Sequence, residues 1–176
     1  MKKGNVLQFS LTWGIISAIF FLIFSVIIYV ANLQGSTAVS LINMALFGGV
    51  FVFVIKKFRD QEQEGYLLFG QGVAISAIMG VVISLLSSIY TYILMAFYDK
   101  GLIEKILIDT ENKLIDQGLD DAQIDATMEM TAKFMTPGFI TISAFFSTII
   151  MAIVIGLIVS AILKKQPPVF SEKTEF

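Results

Sequence analysis

Hydrophobic and polar positions along this chain separate on the scale of whole segments. Three blocks, residues 4–55, 65–98 and 134–163, hold no Asp, Glu, Lys or Arg, and every charge falls between or beyond them. Crossing a bilayer core about 30 Å thick takes roughly 20 helical residues. The first block is therefore long enough for two spans, and Ala31-Asn32-Leu33-Gln34-Gly35 supplies the turn between them. The pattern predicts an all-α membrane protein with four transmembrane helices over about 11–30, 36–55, 70–97 and 138–163. Thirteen of the twenty residues in 11–30 are Leu, Ile, Val or Phe, each favouring insertion by about 0.3–0.6 kcal/mol near the bilayer centre. The second span carries Asn43, Gly48 and Gly49; it is the weakest and is expected to insert as a hairpin with the first. The third is long enough to imply tilt or a projecting end. The fourth begins just after Pro137, a residue suited to a first helical turn.

The polar segment 99–133 reads as an extracytoplasmic helical hairpin between spans three and four. Leu102, Ile103, Ile106, Leu107, Leu114 and Ile115 fall largely on one helical face. Gly118 stands where a glycine after a helix end is expected, and Asp120 can cap the next helix with Gln123 three residues on. Ile124, Met128, Thr131 and Met135 mark a weaker second apolar face. With nine Asp and Glu against four Lys, the segment is acidic. The plainest reading is a connector whose apolar face is covered; the functional reading is a partner-docking surface carried by Asp116, Asp120, Asp121 and Asp125. A divalent-cation site is disfavoured, because the alternating Asp/Asn loop with its distal Glu is missing.

Charge sets the orientation. Both termini and the 56–64 loop hold eight basic residues, Lys2, Lys3, Lys56, Lys57, Arg59, Lys164, Lys165 and Lys173, against four Lys on the other side. The positive-inside rule then places both termini in the cytoplasm. Aromatic residues at the expected interfaces agree, with Phe9, Trp13, Tyr66 and Phe69 inside and Tyr29, Tyr92, Tyr98 and Phe139 outside. Lys2-Lys3 before an apolar run invites a cleaved signal sequence, but the run exceeds the usual length of about 7–15 residues, so a retained first span is expected. The domain is drawn over 1–165, with 166–176, opening Gln166-Pro167-Pro168, as a disordered cytoplasmic tail.

Composition narrows the chemistry. Hydrophobic residues make up 56% and charged residues 15% of the chain, and there is no His or Cys. Thiol nucleophiles, disulfides and imidazole acid–base chemistry are excluded. The uncharged spans argue against a proton-coupled pump, and a net charge of −2 without a basic face leaves nucleic-acid binding unsupported. No nucleotide or metal motif is present, so no enzyme activity, cofactor or metal is expected. Asn43, the most polar residue near a span centre, is read as a hydrogen-bonding link to a neighbouring helix.

Small residues form the clearest pattern inside the spans. Gly72, Ser76, Gly80, Ser84 and Ser88 recur every four residues in the third, and Ala144, Thr148, Ala152, Gly156 and Ser160 in the fourth. Such stripes let helix backbones approach closely. They predict contact between these two helices within one subunit, the alternative being a homo-oligomer seam.

Several pieces of the chain resemble the bacterial family known as domain of unknown function 4199. They are Lys56-Lys57-Phe58-Arg59, the run Gly65-Tyr66-Leu67-Leu68-Phe69-Gly70-Gln71-Gly72, Ile89-Tyr90-Thr91-Tyr92-Ile93 with Asp99, Gln117-Gly118-Leu119-Asp120, Thr136-Pro137 and Leu163-Lys164-Lys165. Lys100 departs from that pattern, where a Pro would commonly follow Asp99. The resemblance implies a bacterial inner-membrane protein with four spans, and no activity. Together these readings predict a non-enzymatic accessory or scaffold subunit acting through lipid or protein contacts, with a small oligomeric channel or transporter as the alternative.

Overall fold

The computed structural model describes residues 5–33 and 35–165, and these are helical almost throughout. The helices are α1 (Val6–Val30), α2 (Thr37–Lys57), α3 (Phe69–Ile93), α4 (Leu102–Asp116), α5 (Asp121–Phe134) and α6 (Pro137–Leu163). Four of them, α2 and α3 counted with the wide π-helical turns that prolong them, are long and apolar enough to cross a membrane. There is no strand among the described residues. The expected tail at 166–176 lies outside them.

Local chemistry explains the helix ends. α1 starts five residues before its predicted span because the Asn5 side chain accepts hydrogen bonds from the backbone N–H groups of Leu7 and Gln8, a cap worth about 1 kcal/mol. The chain turns at Asn32 and Gly35, both with positive φ. α2 runs past the predicted boundary at Ile55 and continues through a π-helical turn at Phe58–Glu62. Lys56 and Lys57 end the hydropathy, not the helix, since cations at a helix C-terminus are favourable. Asp120 caps α5 by accepting from the Gln123 N–H at 2.8 Å. Thr136 caps α6, with Pro137 in its first turn.

One end of the bundle gathers Lys56, Lys57, Arg59, Lys164 and Lys165, and the other carries the acidic pair α4 and α5. At the basic end, Leu67 and Lys165 exchange backbone hydrogen bonds of 2.9 and 3.0 Å, tying the α2–α3 loop to the end of α6. Lys57 lies 4.4 Å above the Trp13 ring. At the acidic end, α4 and α5 touch across the turn at 117–120, and Gly118 there takes a φ of 75° that suits glycine. Lys113 reaches the Gly35 carbonyl at 3.5 Å, so α4 lies beside the α1–α2 turn.

α3 is the central helix, packed chiefly on α6 and α1. α2 packs mainly on α6, not on α1, its neighbour in sequence. α1 and α2, joined by the short turn at Asn32 and Gly35, meet each other chiefly through aromatic rings. Phe9 meets Phe58 at 5.0 Å, Trp13 meets Phe53 at 5.7 Å and Phe21 meets Phe47 at 5.4 Å.

The core lies in the basic half. Ala18, Phe51, Ile55, Ile75, Met79 and Ala152 belong to one buried cluster there. Buried positions stop at Phe21 on α1, begin at Phe51 on α2, stop at Ser84 on α3 and begin at Ala152 on α6. Burial is therefore concentrated at the basic end and thins toward the acidic end, where α1 and the end of α3 still meet through Tyr29, Tyr98 and Asp99.

Candidate functional site

This gradient follows from which helices can approach closely. A methyl group on Gly80 would lie 2.5 Å from the Ala152 Cβ and 3.7 Å from the Ile149 Cα. Gly72 is set directly against Ser160, and Gly156 against Ser76. This antiparallel register, continued, puts Ser84 opposite Thr148 and Ser88 opposite Ala144. Along it burial falls away: Ser84 is buried, Thr148 and Ser88 are half-buried, and Ala144 is exposed. The two stripes thus meet within one chain over their basic-end portions and part at the acidic end.

A third run of small residues was not singled out from the sequence. Ser10, Gly14 and Ala18 on α1 are buried, and a methyl on Gly14 would lie 3.1 Å from the Val82 Cβ and 3.4 Å from the Met79 Cα of α3. The signal was the same four-residue spacing, carried by only three members.

Where burial thins, the four long helices line an open chamber of about 490 Å³. Six neutral polar side chains line it: Ser25 from α1, Ser40 and Asn43 from α2, Ser87 from α3, and Ser147 and Thr148 from α6. Apolar walls come from Phe24, Ile28, Met44 and Met151, and the lining contains no charged residue. The floor is a set of rings and aliphatic groups. Phe21 and Phe47 stand 5.4 Å apart, Ile83 belongs to the buried core, and Phe51 backs Phe47 from below at 5.0 Å.

Hydroxyls without a side-chain hydrogen bond among the described residues occur outside the chamber too, among them Ser17, Ser88, Thr91 and the buried Ser160 Oγ. What sets the chamber apart is that such groups from four helices line one space. Ser10, Ser76, Thr110, Thr131 and Thr141 each donate to the carbonyl four residues earlier, the usual way a helix satisfies a hydroxyl. In the chamber Ser40 does so, at 3.2 Å. Ser25, Ser87, Ser147, Thr148 and the Asn43 amide have no side-chain hydrogen bond among the described residues. The expected link from Asn43 to a neighbouring helix is therefore not made. α2 stands off at this level, and Asn43 faces the chamber, exposed.

At the acidic end Asp99 organises the helix ends. Its carboxylate accepts from the Tyr29 hydroxyl at 2.9 Å, from the Lys105 ammonium at 3.3 Å and from the Gly101 N–H at 3.1 Å. The Tyr29 hydroxyl, followed by Lys105, holds this carboxyl below its ordinary pKa, partial burial opposing them. Asp116, Asp120, Asp121 and Asp125 are exposed around the α4–α5 turn; Asp120 serves as the cap, and no salt bridge engages the four among the described residues. No group of three or more acidic side chains close enough to hold a metal ion occurs among the described residues. A second hollow, of about 700 Å³, lies between α5 and the start of α6 and is walled almost wholly by apolar groups such as Met130, Phe134 and Phe139.

The match that decides kinship covers residues 12–165, nearly all of the bundle and the three segments that connect its long helices. The chain belongs to the family described as "Protein of unknown function (DUF4199)". Neither the curated proteins nor the solved structures yield a match. Membership brings no activity with it, so the chamber, the acidic turn and the basic end must carry the functional argument themselves.

Proposed function

We propose that the protein is a non-enzymatic, four-span protein of the bacterial inner membrane, an accessory or scaffold subunit that works by holding lipid or protein partners. The observation that carries this reading is the chamber shared by all four long helices. Its walls offer hydroxyls, one amide and apolar surface, with no acid, base or charged group. Such a surface can bind and orient. It cannot move a proton, and a serine without a base beside it is a weak nucleophile. Large exposed apolar side chains such as Ile19, Ile23, Ile27, Phe53, Ile150 and Ile158 suit direct contact with acyl chains.

Both termini belong in the cytoplasm on this reading, because the basic residues gather at one end of the bundle and the acidic segment at the other. The natural chain lacks Cys, so single cysteines report location on a clean background. Gln61→Cys is expected to stay shielded from an impermeant thiol reagent in intact cells, and Asp121→Cys to react. The opposite pattern would reverse the orientation.

The exposed acidic turn supports protein docking as part of the same role. Replacing Asp116, Asp120, Asp121 and Asp125 together by Asn preserves side-chain size, and Asn at 120 still caps α5. This variant is expected to insert and keep its helix content while a partner that co-purifies with the wild type is lost. Wild-type association is expected to weaken with salt, since exposed charges are screened over about 8 Å at physiological ionic strength. A partner profile unchanged at low and high salt would remove the docking role and leave α4 and α5 as a tether.

The alternative, a small oligomeric channel or transporter, draws on the polar lining of the chamber. A path through one subunit would have to pass Phe51, Ile75 and Met79, all fully buried. Flux would therefore have to run between subunits, and a homo-oligomer conducting a solute in reconstituted vesicles would favour it over the accessory reading.

A further inference from the structure

We infer that the chamber lined by all four long helices is a binding site for a neutral glycerolipid of the diacylglycerol class. The inference deepens the reading above and rests on the four helices spanning a membrane. Three properties select the ligand.

The first is charge. No Lys, Arg, Asp or Glu lines the chamber. An anionic phosphate or a cationic amine drawn in would lose hydration without gaining a counter-charge, and burying an unpaired ion is strongly unfavourable. The second is the density of unused hydrogen-bonding groups. Ser25, Ser87, Ser147, Thr148 and Asn43 come from four different helices, face one space and have no side-chain hydrogen bond among the described residues. In a low-dielectric setting such groups gain most from a ligand that both donates and accepts. A glyceride offers one hydroxyl and two ester carbonyls at the base of its chains, a spread that several helices can meet together. The third is the wall. Phe24, Ile28, Met44 and Met151 are apolar and adaptable neighbours for the first part of an acyl chain, while the open sides let the remainder run into the bilayer.

A volume of about 490 Å³ fits this division, since it falls within the range of small-molecule sites, about 300–1,000 Å³, and need hold only the head and chain roots. The floor of Phe21, Phe47 and Ile83 limits how deep the ligand can sit.

The test uses the full chain reconstituted in phosphatidylcholine nanodiscs with a trace of photoreactive diacylglycerol. Cross-links are expected to concentrate on the peptides that carry Asn43 to Phe47 and Ser147 to Met151. Unlabelled diacylglycerol should compete, whereas phosphatidylglycerol and free glycerol should not. Thr148→Val, which removes a hydroxyl at constant shape, and Asn43→Leu are each expected to cut site labelling about fivefold, the worth of one hydrogen bond. Val81→Leu, on an exposed face of α3, should leave it unchanged. Should Asn43→Leu fail to fold, Thr148→Val decides alone. Labelling spread along all exposed faces, equal competition by phosphatidylglycerol, competition by glycerol alone, or a chamber filled by a second copy of the chain would each overturn the inference. Release of the protein from membranes by alkali would instead overturn the membrane-spanning reading, a separate outcome from lost lipid binding by a protein that stays integral.

Discussion

Gly80→Leu is expected to lower the thermal stability of the detergent-solubilised protein sharply, while Val81→Leu, one residue away, leaves it nearly unchanged. At Gly80 even a methyl group would come within 2.5 Å of the Ala152 Cβ, with the α6 backbone at Ile149 just behind. A leucine there has no flexible neighbour to displace, so α3 and α6 must separate. Overpacking a fitted contact costs about 1–3 kcal/mol, and this contact frames the bundle, since α3 is packed chiefly on α6 and α1. Val81 points outward with 45% of its surface exposed and can accept a larger side chain. A compensating pair sharpens the test. Gly80→Ala alone should destabilise, and adding Ala152→Gly should restore most of the loss by exchanging which helix carries the methyl. Equal melting of the Gly80→Leu and Val81→Leu proteins would remove this contact as the frame. Loss of an oligomer with an intact subunit would move the stripe to a seam between subunits.

The parts of the fold legible in the sequence are those written at fixed spacing along one segment. The uncharged blocks mark the long helices, and the four-residue stripes mark the facing sides of α3 and α6, because close helix contact demands small residues at that period. The cap residue Asp120 is legible for the same reason, its partner lying three residues on. Pairing between distant segments is not written that way. The short turn joins α2 to α1, yet α2 packs mainly on α6, a partner that no spacing in its sequence names. Its ring contacts with α1 are equally unannounced, since Phe or Trp in a span carries no periodic signature of its partner. Asn43 was read as a link between helices on the assumption that a helix stood within reach. With α2 held off, it faces the chamber instead. The chamber itself draws one or two polar side chains from each of residues 21–28, 40–47, 83–87 and 147–151. Serine and threonine are common in such segments, and only the three-dimensional arrangement gives these particular ones a shared direction.

Phe51→Ala is expected to destabilise the protein more than any other single truncation on α2, by about 3–5 kcal/mol, the usual cost of deleting a fully buried aromatic side chain. α2 fully buries Phe51, Val54 and Ile55, all in its last two turns, with Leu46, Phe47 and Val50 packed on the core less deeply, so its main anchor is at the basic end. Phe51 is the largest of the three fully buried side chains, with the Phe47 ring 5.0 Å away. Its removal takes the foundation from beneath the chamber floor and loosens the helix that carries Ser40 and Asn43. Phe53 makes the right comparison. It is also on α2 and meets the Trp13 ring at 5.7 Å, but 56% of its surface is exposed. Phe53→Ala should therefore cost little beyond that ring contact, about 0.5–1.5 kcal/mol. If the two variants unfold at the same temperature in detergent, α2 is not fixed by its basic end. The asymmetry between a densely and a thinly packed half, on which the chamber depends, would then have no anchor.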